Sequence, residues 1–230
     1  HWMMAAHFAL AGYTVFTINY RLAPASPFPA ALEDVGEAAR WILQNGSDYG
    51  ADNASWAVAG ESAGANLILA LVAACSFELE EPYARKMFEL NLPIKAALPA
   101  CGVLQVSDIE RLWHGYPRLA KIIQDRLLVM AEDYLGVGDH APRLADPLLM
   151  FEEDLPVARA LPPMGISVGE RDLLLEDSRR LAQALLRRNA NHRLWTYPGG
   201  IHAFHAMHWS GLARKCWRDQ LDFLSTCMAL

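Results

Sequence analysis

Apolar and polar positions change period several times along this chain, and each change marks an element. Across residues 30–44 the apolar side chains fall at Ala31, Leu32, Val35, Ala38, Ala39 and Ile42. That spacing is one face of an α-helix, and Asn45-Gly46 supplies its stop. Helices are predicted in the same way over 176–188 and over 211–228, the latter with its apolar face at Leu212, Cys216, Leu221 and Leu224. Shorter apolar runs at 13–20 (YTVFTINY), 55–59, 94–101, 164–168 and 193–197 predict strands, the first being rich in β-branched and aromatic residues. After the run at 55–59, GESAGANLILALVAA changes at once to a helical pattern, and the opening HWMMAAHFALAGY reads as part of a helix.

Strands that alternate with helices imply βαβ crossovers and a mostly parallel sheet with helices on both faces, so the predicted class is α/β. The stretch 102–161 does not keep this rhythm and is broken at Pro117, Gly136, Pro142 and Pro147. It predicts a helical, cap-like insertion, about residues 104–161, placed to roof a site. With 230 residues, 53% of them hydrophobic, the chain can bury one sizeable core and reads as a single domain, 1–230.

Charge and cysteine usage narrow the function classes. A net charge of -6 with scattered Lys and Arg offers no basic field for nucleic acid. Cys75, Cys101, Cys216 and Cys227 lack the close pairing that ligates zinc and predict free, buried thiols. Every apolar run is interrupted before the roughly 18 to 20 residues that a membrane span needs, and the expectation is a soluble, cytoplasmic protein. No phosphate loop, metal cluster or cofactor motif is found, so neither cofactor nor metal is expected.

The chemistry concentrates in three places. Gly60-Glu61-Ser62-Ala63-Gly64 matches G-x-S-x-G between a predicted strand and a predicted helix, the context in which a serine is held on a strained turn with its oxygen exposed. The glycines are expected because flanking side chains would meet neighbouring backbone. Ser62 is therefore the candidate nucleophile, at a helix N-terminus that favours a developing oxyanion.

A serine nucleophile needs a base, and the base needs an orienting carboxylate. Of eight histidines, only His202 falls in a loop just after the last predicted strand, which puts it at the sheet edge of Ser62. His205 and His208 follow a turn or two later and read as surface or packing residues, while His1, His7, His114, His140 and His192 have no motif around them. Asp172 follows the strand MGISV in Gly169-Glu170-Arg171-Asp172 and is the candidate acid. Asp is also a favoured helix N-cap, a duty that Glu176 or Asp177 could take instead. The order Ser62, Asp172, His202 is the one expected of an α/β-hydrolase.

Four ordered segments, NYRLAPASPFPAALEDV, GESAGAN, GERDLLLEDS and YPGGIHAF, resemble the hormone-sensitive-lipase-like branch of the α/β-hydrolases. The resemblance implies hydrolysis of short acyl esters through a Ser-His-Asp triad and an acyl-enzyme, with a small-molecule ester as partner and Ala63 as one oxyanion donor. Glu61 and Ala65 stand where that branch often has Asp and Gly. Its His-Gly-Gly-Gly loop occurs nowhere in this chain and would lie upstream of His1, as would its first strands; the strand that normally sits between 13–20 and 55–59 would be missing too. Two alternatives share the pattern: an amide hydrolase similar to arylformamidases, and a binding protein that keeps the fold without turnover, as in plant hormone receptors of this branch, which lack the base.

Overall fold

In a computed structural model, residues 2–114, 120–136 and 141–228 are described. Their strands are β1 (Trp56–Glu61), β2 (Ile94–Ala100), β3 (Met164–Gly169) and β4 (His192–Tyr197), and their helices α1 (Trp2–Leu10), α2 (Ala30–Asn45), α3 (Ala63–Ser76), α4 (Pro82–Glu89), α5 (Arg111–His114), α6 (Lys121–Leu135), α7 (Pro147–Glu152), α8 (Leu175–Arg187) and α9 (Gly211–Met228). His1, Pro117 and His140 lie outside the described residues.

The four strands form one parallel sheet in sequence order, with Glu61 beside Ala100, Ala100 beside Ser167 and Gly169 beside Tyr197. Helices α3, α7 and α8, one from each crossover, lie on one face. There α3, α7 and α8 bury Leu69, Leu148 and Leu181 with Ala97 and Ile166 of the sheet in the main core. Alternate strand residues point the other way, where Ala96 and Leu98 meet Phe8 of α1 and Trp217 and Leu224 of α9. β3 is buried along its whole length, as a parallel strand covered on both faces must be. From Ala65 to Ser76 every residue of α3 is buried, which explains why its sequence is apolar all round.

Two expectations are corrected or divided. Residues 13–20 form no strand: Thr14, Thr17, Ile18 and Asn19 are exposed, and Tyr13 and Val15 pack beside the cluster of Phe8 and Trp217. β-propensity describes a side chain's fit to a pleated surface, and without a ladder partner it produces extended coil. The predicted insertion also splits. Leu104, Leu144, Leu148, Met150 and Phe151 belong to the main core, whereas Val106, Ile109 and Leu112 form a separate cluster with Ala131 of α6 and Leu174. Among the described residues no helix is long and apolar enough to cross a membrane.

Candidate active site

Three strand ends at the carboxyl edge of the sheet carry the site. Ser62 follows β1 directly, at φ 54° and ψ -117°, a backbone state that a residue with a Cβ adopts only under constraint. The constraint is local: Ser62 N donates to Ala100 O at 3.0 Å, and Ala65 N to Ser62 O at 3.1 Å. A Cβ on Gly60 would lie 2.3 Å from the carbonyl oxygen of Gly64, so glycine is obligatory there. Gly64 is different, because a Cβ on it would meet nothing within 4 Å, and the expectation of a clash at both glycines holds for Gly60 alone. Ser62 occupies the N-cap position of α3, yet its hydroxyl makes no capping bond and is turned to the imidazole of His202. Ala63 opens α3, so its N–H is one of the four that no helical carbonyl accepts.

Asp172 and His202 are positioned by one tight joint between their loops. Arg171 N donates to Gly200 O at 2.8 Å, and Glu170 N to Tyr197 O at 3.0 Å. A Cβ on Gly169 would stand 2.2 Å from Gly200 O, so the two loops touch backbone to backbone. Asp172 is buried, with 1% of its surface exposed. Its Oδ1 accepts from Leu174 N at 2.9 Å, a local turn ahead of α8 and not a helix cap.

The three residues that the sequence selects meet through His202. Its Nε2 lies 3.2 Å from Ser62 Oγ, and its Nδ1 lies 3.0 Å from Asp172 Oδ2 and 3.2 Å from Oδ1. The hydrogen bond to Asp172, followed by one to Cys101, raises the imidazole pKa to about 10 against the opposing cost of burial. Such a chain can draw a proton from the serine hydroxyl and hold the resulting imidazolium.

His205 is a packing residue: it is 2% exposed, its Nε2 is 2.6 Å from Glu61 Oε2, and its carbonyl accepts from Trp217 Nε1 at 3.0 Å. His208 is exposed. Neither Glu176 nor Asp177 caps α8. Glu176 is exposed beside Arg179, while Asp177 is buried, bound by Arg111 Nη2 at 2.6 Å and Leu104 N at 2.8 Å. Burial lifts its carboxyl above the ordinary value in spite of the guanidinium.

One residue of the site was not singled out by sequence. Cys101 follows β2, between the strands that present Ser62 and Asp172, with φ 38°; Cys75 and Cys216 are buried like it, and Cys227 is half-buried. Its Sγ, a carboxylate oxygen of Asp172 and a ring nitrogen of His202 all lie within 4.8 Å of one another. The strand-end rule that found the other three would have found it, since the predicted strand 94–101 ends on this thiol.

A family model described as alpha/beta hydrolase fold matches residues 1–206. An acetyl-hydrolase of Streptomyces hygroscopicus is 32% identical over 200 residues, 86% of this chain and 60% of that protein. Carboxylesterase NlhH of Mycobacterium tuberculosis is 30% identical over 207 residues, 86% of this chain and 59% of that protein. The chain thus spans about 60% of the length of the curated relatives it matches. Among solved structures, a hyperthermophilic esterase from the archaeon Pyrobaculum calidifontis superposes with a TM-score of 0.78 at 24% identity, over 96% of this chain and 68% of that one, a likeness of fold.

Proposed function

Because the chain belongs to the α/β-hydrolase fold family, in its hormone-sensitive-lipase-like esterase branch, we propose that it hydrolyses carboxylic esters with short acyl groups, using Ser62 as nucleophile, His202 as general base and Asp172 as the orienting acid. The observation that carries this reading is the placement of His202, within hydrogen-bond reach of Ser62 Oγ on one side and of a buried carboxylate on the other.

His202 Nε2 takes the hydroxyl proton as Ser62 Oγ bonds to the ester carbonyl carbon, and the carbonyl oxygen becomes an oxyanion facing the N–H of Ala63. The imidazolium, steadied by Asp172, gives that proton to the departing alkoxide as the ester bond breaks. Water then attacks the acyl-serine with His202 again as base, releasing acid and restoring Ser62. The names of the relatives, an acetyl-hydrolase and a carboxylesterase, support a short acyl group and an ester bond. The α5–α6 part of the insertion packs on Leu174, two residues from Asp172, and is the cap that would wall the acyl pocket.

Turnover of p-nitrophenyl acetate and butyrate by the 230-residue chain, compared with N-formyl amides and with the S62A variant, tests this. Ester cleavage that S62A loses supports the reading. Preference for the formamides would make the chain an amide hydrolase, and a folded chain whose Ser62 resists a fluorophosphonate probe would make it a binding protein.

A further inference from the structure

Cys101 stands at the centre of the candidate site, yet the proposed reaction gives it no bond to make or break and asks of it only a hydrogen bond to His202. Its bland role is packing, since it lies in a small buried cluster with Ala100 and Val168, and a cysteine behaves there as a small hydrophobe. That role does not require a thiol, and it does not account for the company the sulfur keeps. A cysteine sulfur, an imidazole and a carboxylate converge, the mixed S, N and O donor set that zinc-like cations take.

We propose that Cys101, Asp172 and His202 form a binding site for a thiophilic divalent cation of the zinc class, and that its occupation shuts the triad off. A tetrahedral ion with ligands about 2.0 to 2.3 Å away holds its donors roughly 3.3 to 3.6 Å apart. The three atoms here lie within 4.8 Å of one another, and Nδ1 and Oδ2 of the His202–Asp172 pair are already 3.0 Å apart. Closure therefore asks for a side-chain rotation and no movement of the sheet.

The rigid and mobile parts are distributed to suit this. Cys101 N is bonded to Ser167 O at 2.8 Å and Asp172 Oδ1 to Leu174 N at 2.9 Å, so two ligands are fixed on the ends of adjacent strands. His202 sits on a loop with 47% of its side chain exposed, which provides both the adjusting ligand and the path of entry. Three protein ligands leave a fourth position for water. An ion on His202 displaces the hydrogen bond to Asp172 or the acceptor of the Ser62 proton. Inhibition consequently rests on the hydrolase reading, whereas cation binding does not.

Titration of Zn2+ by calorimetry and of Co2+ by absorbance, on the reduced 230-residue chain and on C101A and C101S, tests both parts. Circular dichroism verifies the fold of each protein. The proposal expects one Zn2+ per chain and a near-ultraviolet thiolate-to-cobalt charge-transfer band. In C101A the band should vanish, and Zn2+ affinity should fall by more than the about 10- to 100-fold that loss of a mere supporting group costs. Fluorophosphonate labelling of Ser62 by the wild-type protein should be silenced by Zn2+, while C101A, judged against its own zinc-free rate, should resist the same concentration. Equal Zn2+ affinity in wild type and both variants, or a cobalt band that survives in C101A, overturns the site and assigns binding to other histidines. A chain that binds cobalt through Cys101 but never labels at Ser62 refutes the hydrolase reading and leaves the cation site standing.

Discussion

The imidazole of His205 lies 2.6 Å from the carboxylate of Glu61, and the pair fastens the residue before Ser62 to the loop that carries His202. This hydrogen bond holds the Glu61 carboxyl below its ordinary value of 4.5 against the pull of burial. A depressed folded-state value contributes stability above the unfolded value, about 4.3 to 4.5, and loses it as pH falls through the folded one. E61A strands a buried imidazole and should cost about 1–3 kcal/mol at pH 7. Urea unfolding of wild type and E61A at pH 7 and pH 3 reads the effect: the gap between them should narrow in acid, and a gap that widens would mean the pair is not the source.

Ser62 pays for its position in backbone strain. S62A and S62G should both lose fluorophosphonate labelling and, for a working triad, turnover by about 10⁶. They should differ in stability, because glycine relaxes a φ of 54° with ψ -117°. Relief of about 1–3 kcal/mol exceeds the about 0.5–1 kcal/mol entropic cost of a glycine. S62G should therefore melt above S62A by calorimetry, and the reverse order would mean that the elbow is unstrained.

Asp172→Asn keeps the acceptor that serves Leu174 N but removes the charge that orients the ring. Turnover should fall about 10⁴-fold with the fold intact. Glu176→Gln, at an exposed position beside Arg179, should change turnover less than about twofold, as expected of a surface substitution. A larger effect at Glu176 would transfer the acid role.

Only a neutral imidazole can act as base, so turnover should rise with pH, with a midpoint displaced above the unperturbed 6.5 because Asp172, and then Cys101, raise His202. D172N should move the midpoint down. The same shift bears on stability with the opposite sense: a raised folded-state value contributes fully below about 6.5 and is lost as pH rises through about 10. Rate profiles of wild type and D172N, measured beside melting temperatures over the same range, check both signs. An upward shift in D172N would exclude Asp172 as the cause.

How far the sequence could be read depended on whether a feature is local or made by partners. Strand β2 from Ala96 onward, strand β3 and most of helix α3 are apolar runs, and their burial follows largely from composition. Ser62, Asp172 and His202 were visible because each sits a few residues beyond a readable strand. The segment 13–20 forms no strand because its β-branched residues describe a preference, whereas a strand is a relation between two chains of backbone groups. The pairing of Glu61 with His205 joins residues 144 apart in sequence, and no window along the chain contains both.

The segment 103–107 is held to the body of the fold mainly by side chains, beside one backbone bond from Leu148 N to Leu104 O at 3.1 Å, and not by a ladder. Asn66 Nδ2 donates to the carbonyls of Val103 and Ala145, Asp177 accepts from Leu104 N, and Asp146 accepts from Ser107 N at 3.0 Å. The two ends of the intervening stretch are thus stitched at nearly one point, Val103 and Ala145 sharing a single amide. What lies between these seams is a replaceable panel. Evolution, or an engineer, can exchange the panel for one of another length or polarity provided that the exchange keeps Arg111, the partner of buried Asp177, and Leu144 and Ala145, which fill the main core.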